Sequence, residues 1–369
     1  MHKTAIGSTS TVDEEIEGLD PGEGNDLGQY PIDSLLIRNE NRTVFEVVRR
    51  MKAGMYILNP DFQRDFVWPP EKQSKLIESA LMRIPLPVFY LAEQPDGKVV
   101  VVDGLQRLTT FYRYLNNEFR LSGLKDPEQV LNKKYFRDLS PRFQTRIEDT
   151  NLILYLIDSK VPERARLDIF DRVNSGVALS RQQMRNCLYV GPATRWLKEQ
   201  ATSEWFATAT GGSLNTKTMR DREAINRFCG FMLLGVDRYR GDMDDFLAET
   251  LKAMNELDEA QLDRMTQDFE RSMRHNFTVF GRHAFRKHAA DSTNRNVINI
   301  ALFDVFAVQM TKYDAPFVEA NAEAIHTLFF GLMEDEQFNR AIMIATNSVR
   351  QVRDRFAIIQ ERFQELEAC

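Results

Sequence analysis

Residues 103–110, Asp-Gly-Leu-Gln-Arg-Leu-Thr-Thr, bring together side chains that suit phosphate chemistry. Arg107 offers a planar fork for a phosphate or carboxylate. Thr109 and Thr110 offer hydroxyls, and Gln106 an amide. Asp103 is a candidate for holding a divalent metal beside a triphosphate, or for orienting a water. Gly104 permits a backbone turn with positive φ or the close approach of a ligand. The Gly-Lys-Ser/Thr ending of a Walker A loop is missing. The same residues also suit a plain bend closed by an Arg–Asp ion pair.

Two further clusters carry polar groups in unusual company. In Asp61-Phe62-Gln63-Arg64, followed by Trp68, a Gln and an Arg sit inside an aromatic loop bounded by prolines. Arg64 can reach a phosphate there, and Phe62 or Trp68 can stack on a base. Packed aromatics with an Arg paired to Asp61 or Asp65 are the plainer reading of the loop. In Phe170-Asp171-Arg172-Val173-Asn174-Ser175-Gly176, Asn174 and Gly176 read locally as a plain helix–turn–helix corner, and can also set polar groups over the first site. His283 and His288 lie among asparagines without a metal-ligand pattern and read as packing or surface residues. No Ser/His/Asp or Cys/His set is legible.

The elements that must position these residues follow from periodicity. The apolar run Val99–Val102 predicts a strand feeding a helix over about 108–117, and such a junction presents free N–H groups to an anion. LPVFYLAE and KVVVVDG, separated by QPDG, predict a hairpin. NLILYLID, residues 151–158, predicts a further buried strand. YPIDSLLI predicts a short strand, and NRTVFEVVRRMKAG and PPEKQSKLIESALMRI predict helices, the second opened by proline. From Pro162 onward helical periodicity dominates, broken at 208–218 and 287–296. Ser180 with Gln183 has capping-box spacing. The expected fold class is α+β: a small mixed-sheet domain over 29–160, then an all-helical domain over 161–369.

Bulk properties set limits. A chain of 369 residues, 43% hydrophobic and 28% charged, has room for two or three domains. Cys187, Cys229 and Cys369 form neither a disulfide framework nor a zinc spacing and fit a reducing cytoplasm. No apolar run is long enough for a membrane span. Residues 1–28 hold seven acids and one lysine, which leaves 47 of each sign elsewhere, so the net charge of −6 sits in this segment. Its composition predicts a disordered acidic tail.

Three stretches in order, DFQRDFVWPPEKQSKLIESALMRIPLPVFYL, VVDGLQRLTTFYRYL and IFDRVNSGVALSRQQMRN, resemble the N-terminal domain of GmrSD-type, modification-dependent restriction enzymes. TMRDREAINRFCGF and FGRHAFRK with INIALFDVF extend the resemblance over roughly 30–310. It implies a ParB/sulfiredoxin-like core that binds nucleoside triphosphates, and cytoplasmic action against foreign DNA. Family members commonly carry Asp-Gly-Gln-Gln-Arg; here Leu105 stands at the third position. The family's Gln-Arg pair falls on Gln63 and Arg64, and its Asn-Gly corner on Asn174 and Gly176. The implied assignment gives catalysis to Asp103, Gln106 and Arg107. It gives NTP binding to Gln63, Arg64, Trp68, Gly104, Arg107, Thr109, Thr110 and Asn174, and Mg²⁺ to Asp103. The implied activity is an NTP-hydrolysing sensor, with DNA and a separately encoded nuclease as partners, because no His-Asn-His signature follows. A non-hydrolysing nucleotide switch and a metal-dependent nuclease are the alternatives, and oligomeric state is left open.

Overall fold

A computed structural model describes residues 17, 37–58, 68–94, 96–125, 130–161, 163–173, 180–289 and 294–367. The chain divides into two compact units, Asn25–Val190 and Met1–Gly24 with Gly191–Cys369.

The first unit is a five-stranded mixed sheet with helices. β1 (Ile37–Thr43), β2 (Tyr56–Ile57), β3 (Phe89–Glu93), β4 (Val99–Asp103) and β5 (Asn151–Ile157) lie in the order β1-β5-β3-β4-β2. β3 and β4 are the expected antiparallel hairpin, with a register shift between Tyr90 and Leu91. β3 runs parallel to β5, and β2 parallel to β4. The helices are α1 (Val44–Lys52), α2 (Pro70–Leu81), α3 (Leu105–Leu115), α4 (Pro141–Glu148), α5 (Glu163–Val173) and α6 (Arg181–Leu188). Val99 and Val101 join a core with Val47, Ile77, Leu108 and Phe111, from α1, α2 and α3. Val100 and Val102 are buried as well, so β4 is covered on both faces, which explains its unbroken valine run.

Two elements differ from their sequence reading. The polar stretch IRNENRT is β1, because all seven of its residues pair with β5. Its propensity is poor, and ladder bonding to a strong neighbour overrides it. Helix α1 therefore starts at Val44, where Thr43 Oγ1 caps Glu46 N at 3.2 Å. Helix α3 starts three residues ahead of the expected 108, directly at Gly104.

The compact division falls after Val190, not at the expected 160/161. Helices α5 and α6 stay with the sheet. Arg166 of α5 donates to Glu93 O at 3.1 Å, and Gln94 donates to Leu188 O of α6 at 2.7 Å. The predicted capping box of α6 is present, with Ser180 Oγ taking Gln183 N at 3.1 Å and Gln183 Oε1 taking Ser180 N at 2.7 Å.

The second unit is helical among its described residues: α7 (Pro192–Ala201), α8 (Glu204–Thr210), α9 (Arg220–Leu233), α10 (Met243–Asn255), α11 (Glu259–Phe280), α12 (Ile300–Gln309), α13 (Ala315–Ala320), α14 (Ala322–Glu334), α15 (Glu336–Met343) and α16 (Val349–Glu367). The apolar α12 is almost wholly buried at its centre. The expected disordered tail, 1–28, lies outside the described residues except for Glu17. That residue bridges Asn299, and its carboxylate meets Lys287 Nζ at 2.5 Å. Among the described residues no helix is long and apolar enough to cross a membrane.

Candidate functional site

The bend between β4 and α3 is built around Gly104. Its φ of 95° is costly for any residue with a Cβ. A Cβ there would also lie 2.3 Å from the Phe89 ring. Gly104 is thus demanded twice, by the backbone and by the ring pressed against it.

Helix α3 begins with no side-chain cap, and its first ladder bond runs from Leu108 N to Gly104 O at 2.9 Å. The amides of Leu105, Gln106 and Arg107 therefore point out of the helix start, where the dipole favours negative charge. Thr109 Oγ1 is buried without a hydrogen-bond partner. Thr110 Oγ1 is turned back into the helix, donating to Gln106 O at 2.7 Å.

Arg107 is not an open fork. It donates to Pro87 O, to Val88 O at 3.2 Å and to Asp103 Oδ2 at 2.8 Å. Its guanidinium carbon lies 4.3 Å from the centre of the Phe89 ring. Burial pulls its pKa below the ordinary arginine value, and Asp103 opposes that shift. The side chain pins the start of β3 to the start of α3. Of the two readings the sequence allowed for this pair, the internal ion pair is the one formed. Asp103, about one-third exposed, spends one oxygen on that pair.

Gln106 is similarly engaged. Its Oε1 accepts from Trp68 N at 3.1 Å, while Gln73 Nε2 donates to Trp68 O at 2.6 Å. Two glutamines therefore clamp the Trp68 peptide at the head of α2, and Arg113 Nη1 steadies Gln73 at 3.2 Å. Lys72 Nζ covers the Trp68 ring at 4.4 Å, on one of the two rings the sequence offered for stacking a base. Gln63, Arg64 and Asn174 lie outside the described residues. The structure thus brings Trp68, Asp103, Gly104, Gln106, Arg107 and Thr109 to one junction, mostly holding one another.

Two contributors were missed in the sequence. Phe89 carries both the Gly104 contact and the Arg107 stack, yet nothing separates it from any strand aromatic. On α6, Gln182, Arg185 and Asn186 are fully buried. They bond among themselves, Arg185 Nε to Gln182 Oε1 and Gln182 Nε2 to Asn186 Oδ1, both at 2.9 Å. The sequence reading took only the Ser180–Gln183 cap from this helix.

Among the described residues no group of three or more His, Cys, Asp or Glu is placed to hold a metal ion. Asp103 spends one carboxylate oxygen on Arg107, and a Mg²⁺ ion beside it would need further oxygen ligands.

A comparison with curated proteins finds no match. The model of the GmrSD restriction endonuclease, N-terminal domain, matches residues 44–190, ending where the sheet-containing unit ends. Apart from β1, the described elements of that unit, with the Gly104 junction, lie within the matched residues 44–190, and this region is similar to the GmrSD restriction endonuclease N-terminal domain.

Proposed function

We propose that the sheet-containing unit is a nucleoside-triphosphate-binding module of a restriction system that acts on modified foreign DNA. The observation that carries this reading is the uncapped start of α3 at Gly104, with the unpartnered Thr109 hydroxyl in its first turns. Three amides aligned with a helix dipole suit a phosphate without further charge. Gln63, Arg64 and Asn174 are further candidate contacts. Hydrolysis requires more: the Asp103–Arg107 pair must open when nucleotide binds, freeing the carboxylate for water and the guanidinium for the phosphates. The closed pair favours nucleotide as a conformational switch acting on DNA or on a separately encoded nuclease.

Thermal melts with each of the four NTPs, with and without Mg²⁺, test the reading. A ligand at a hundredfold excess over its Kd adds about 2.7 kcal/mol, which is several degrees in Tm. Arg107→Ala leaves Asp103 a bare anion beside the phosphates, so binding without Mg²⁺ should weaken about tenfold. No melting shift with any NTP in the wild-type chain would overturn the proposal. Phosphate release undiminished in both Arg107→Ala and Asp103→Asn would remove these two residues from the hydrolytic machinery.

A further inference from the structure

On the sheet-containing unit, lined by none of the Gly104-junction side chains, a half-open cavity of about 870 Å³ lies between the end of α2, the start of α4 and β5. Three arginines line it: Arg83, Arg142 and Arg146. Asp149 is its one acid, and Ile84, Leu86 and Ile153 give it an apolar wall. Residues 29–369 carry 47 charges of each sign, so three arginines against one aspartate is a local excess of positive charge.

Two observations separate this from ordinary surface charge. Arg83, Arg142 and Arg146 form no ion pair among the described residues; Arg146 Nη1 instead donates to Leu81 O at 3.1 Å. Arg50, by contrast, is paired with Glu46 at 3.0 Å. Arg83 also has φ of 58°. It is the residue that terminates α2, with Arg83 N on Ala80 O at 3.1 Å and Ile84 N on Ser79 O at 2.9 Å. Glycine or asparagine fills such a position at least conformational cost. An arginine held there, at the mouth of a basic cavity, is placed against backbone preference.

We propose that this cavity binds a phosphate-bearing ligand, with Arg83 and Arg142 as its charged contacts and Arg146 fixed behind them. Guanidinium forks match phosphate oxygens bidentately. The volume lies in the range of small-ligand sites, and the isoleucine and leucine wall suits the apolar part of a phosphate ester. The same chemistry serves a discrete ligand, such as a nucleotide, or the backbone of a nucleic acid that lays a phosphate into the opening.

The test uses the full chain and two probes, sodium tripolyphosphate by calorimetry and a short fluorescein-labelled DNA duplex by anisotropy. The variant is Arg83→Asn with Arg142→Gln; both residues are exposed, and asparagine tolerates the backbone of position 83. Its melting curve should match the wild-type chain. Tripolyphosphate bound at least about tenfold more weakly by the variant supports a discrete phosphate ligand. Duplex binding weakened in the variant, with a salt slope reduced by about two, supports a nucleic-acid backbone. Failure of the wild-type chain to bind either probe overturns the proposal. Equal binding by the variant also overturns it. So does binding lost in Gly104→Ala but kept in the double variant, which would put the anion at the start of α3 instead.

Discussion

Two arginine–aspartate clusters, one in each unit, use the same chemistry in opposite ways. In the sheet-containing unit Arg107 meets Asp103 across one helical turn, and the carboxylate is about one-third exposed. In the helical unit Asp304 of α12 takes Arg227 of α9 in a fork, Nε at 2.8 Å and Nη2 at 2.6 Å, and also Arg355 of α16 at 2.8 Å. All three side chains are fully buried. Burial pulls Arg355 down to about 10, against Asp304, with Arg227 adding to the fall. Arg227, also buried, ends above its ordinary value because Asp304 and Glu223 outweigh burial. The difference is one of freedom. The local pair has water at hand and can exchange its partner for a ligand. The buried triad has no solvent to exchange with, and Arg227 and Arg355 spend further donors on Asn347 Oδ1 and Thr346 O, so it serves to hold three helices in register.

The largest expected effect breaks the buried cluster. Asp304→Ala leaves two cations in the core, and loss of a buried partner costs about 3–5 kcal/mol. Urea denaturation should show the helical unit severely destabilised or unfolded; a midpoint within error of the wild-type chain would mean that the triad is not the keystone described. Gly104→Ala comes next. Left-handed backbone strain together with a Cβ driven into Phe89 should cost about 3 kcal/mol, read by the same denaturation curves. A neutral Gly104→Ala would show that the junction is looser than its contacts imply, and closer to an open anion site.

The smallest effect concerns a second buried polar group in the helical unit. His288 Nδ1 faces Arg286 O at 2.9 Å, so that nitrogen carries the proton in the neutral ring. Its Nε2 then accepts from His326 Nε2 at 3.3 Å, and His283 stacks on it at 4.7 Å. The sequence reading of His283 and His288 as packing residues missed His326 as the third member. Burial, with neighbouring His283 and His326, holds His288 below its ordinary value of 6.5. A depressed histidine contributes stability that is complete above pH 6.5 and declines as pH falls below it, because the unfolded chain takes up the proton first. The melting temperature should therefore drop on acidification below 6.5, and His288→Phe, which keeps the stack on Phe329, should flatten that slope. An unaltered slope in the variant would place the pH sensitivity elsewhere, with the buried arginine triad unaffected in this range.

Local patterns were sufficient for much of the scaffold. The valine run, the β3–β4 hairpin, the proline at the head of α2 and the Ser180–Gln183 cap act within a few residues, and each formed as expected. The four-residue spacing of Asp103 and Arg107 likewise allows an ion pair by itself. What the chain alone left undecided were choices between partners distant in sequence. β1 is a strand only because β5 lies beside it, and α5 and α6 belong with the sheet only because Glu93 and Leu188 receive bonds there. Asp304 meets arginines 77 and 51 residues away. Whether Arg107 faces a ligand or a carboxylate depended on Phe89 and the Pro87–Val88 carbonyls, which no local rule connects to it. Local sequence sets backbone geometry because its forces act over one or two turns. Partner choice for a charged side chain is a competition among whatever groups the folded chain brings near it, and only the tertiary structure settles that.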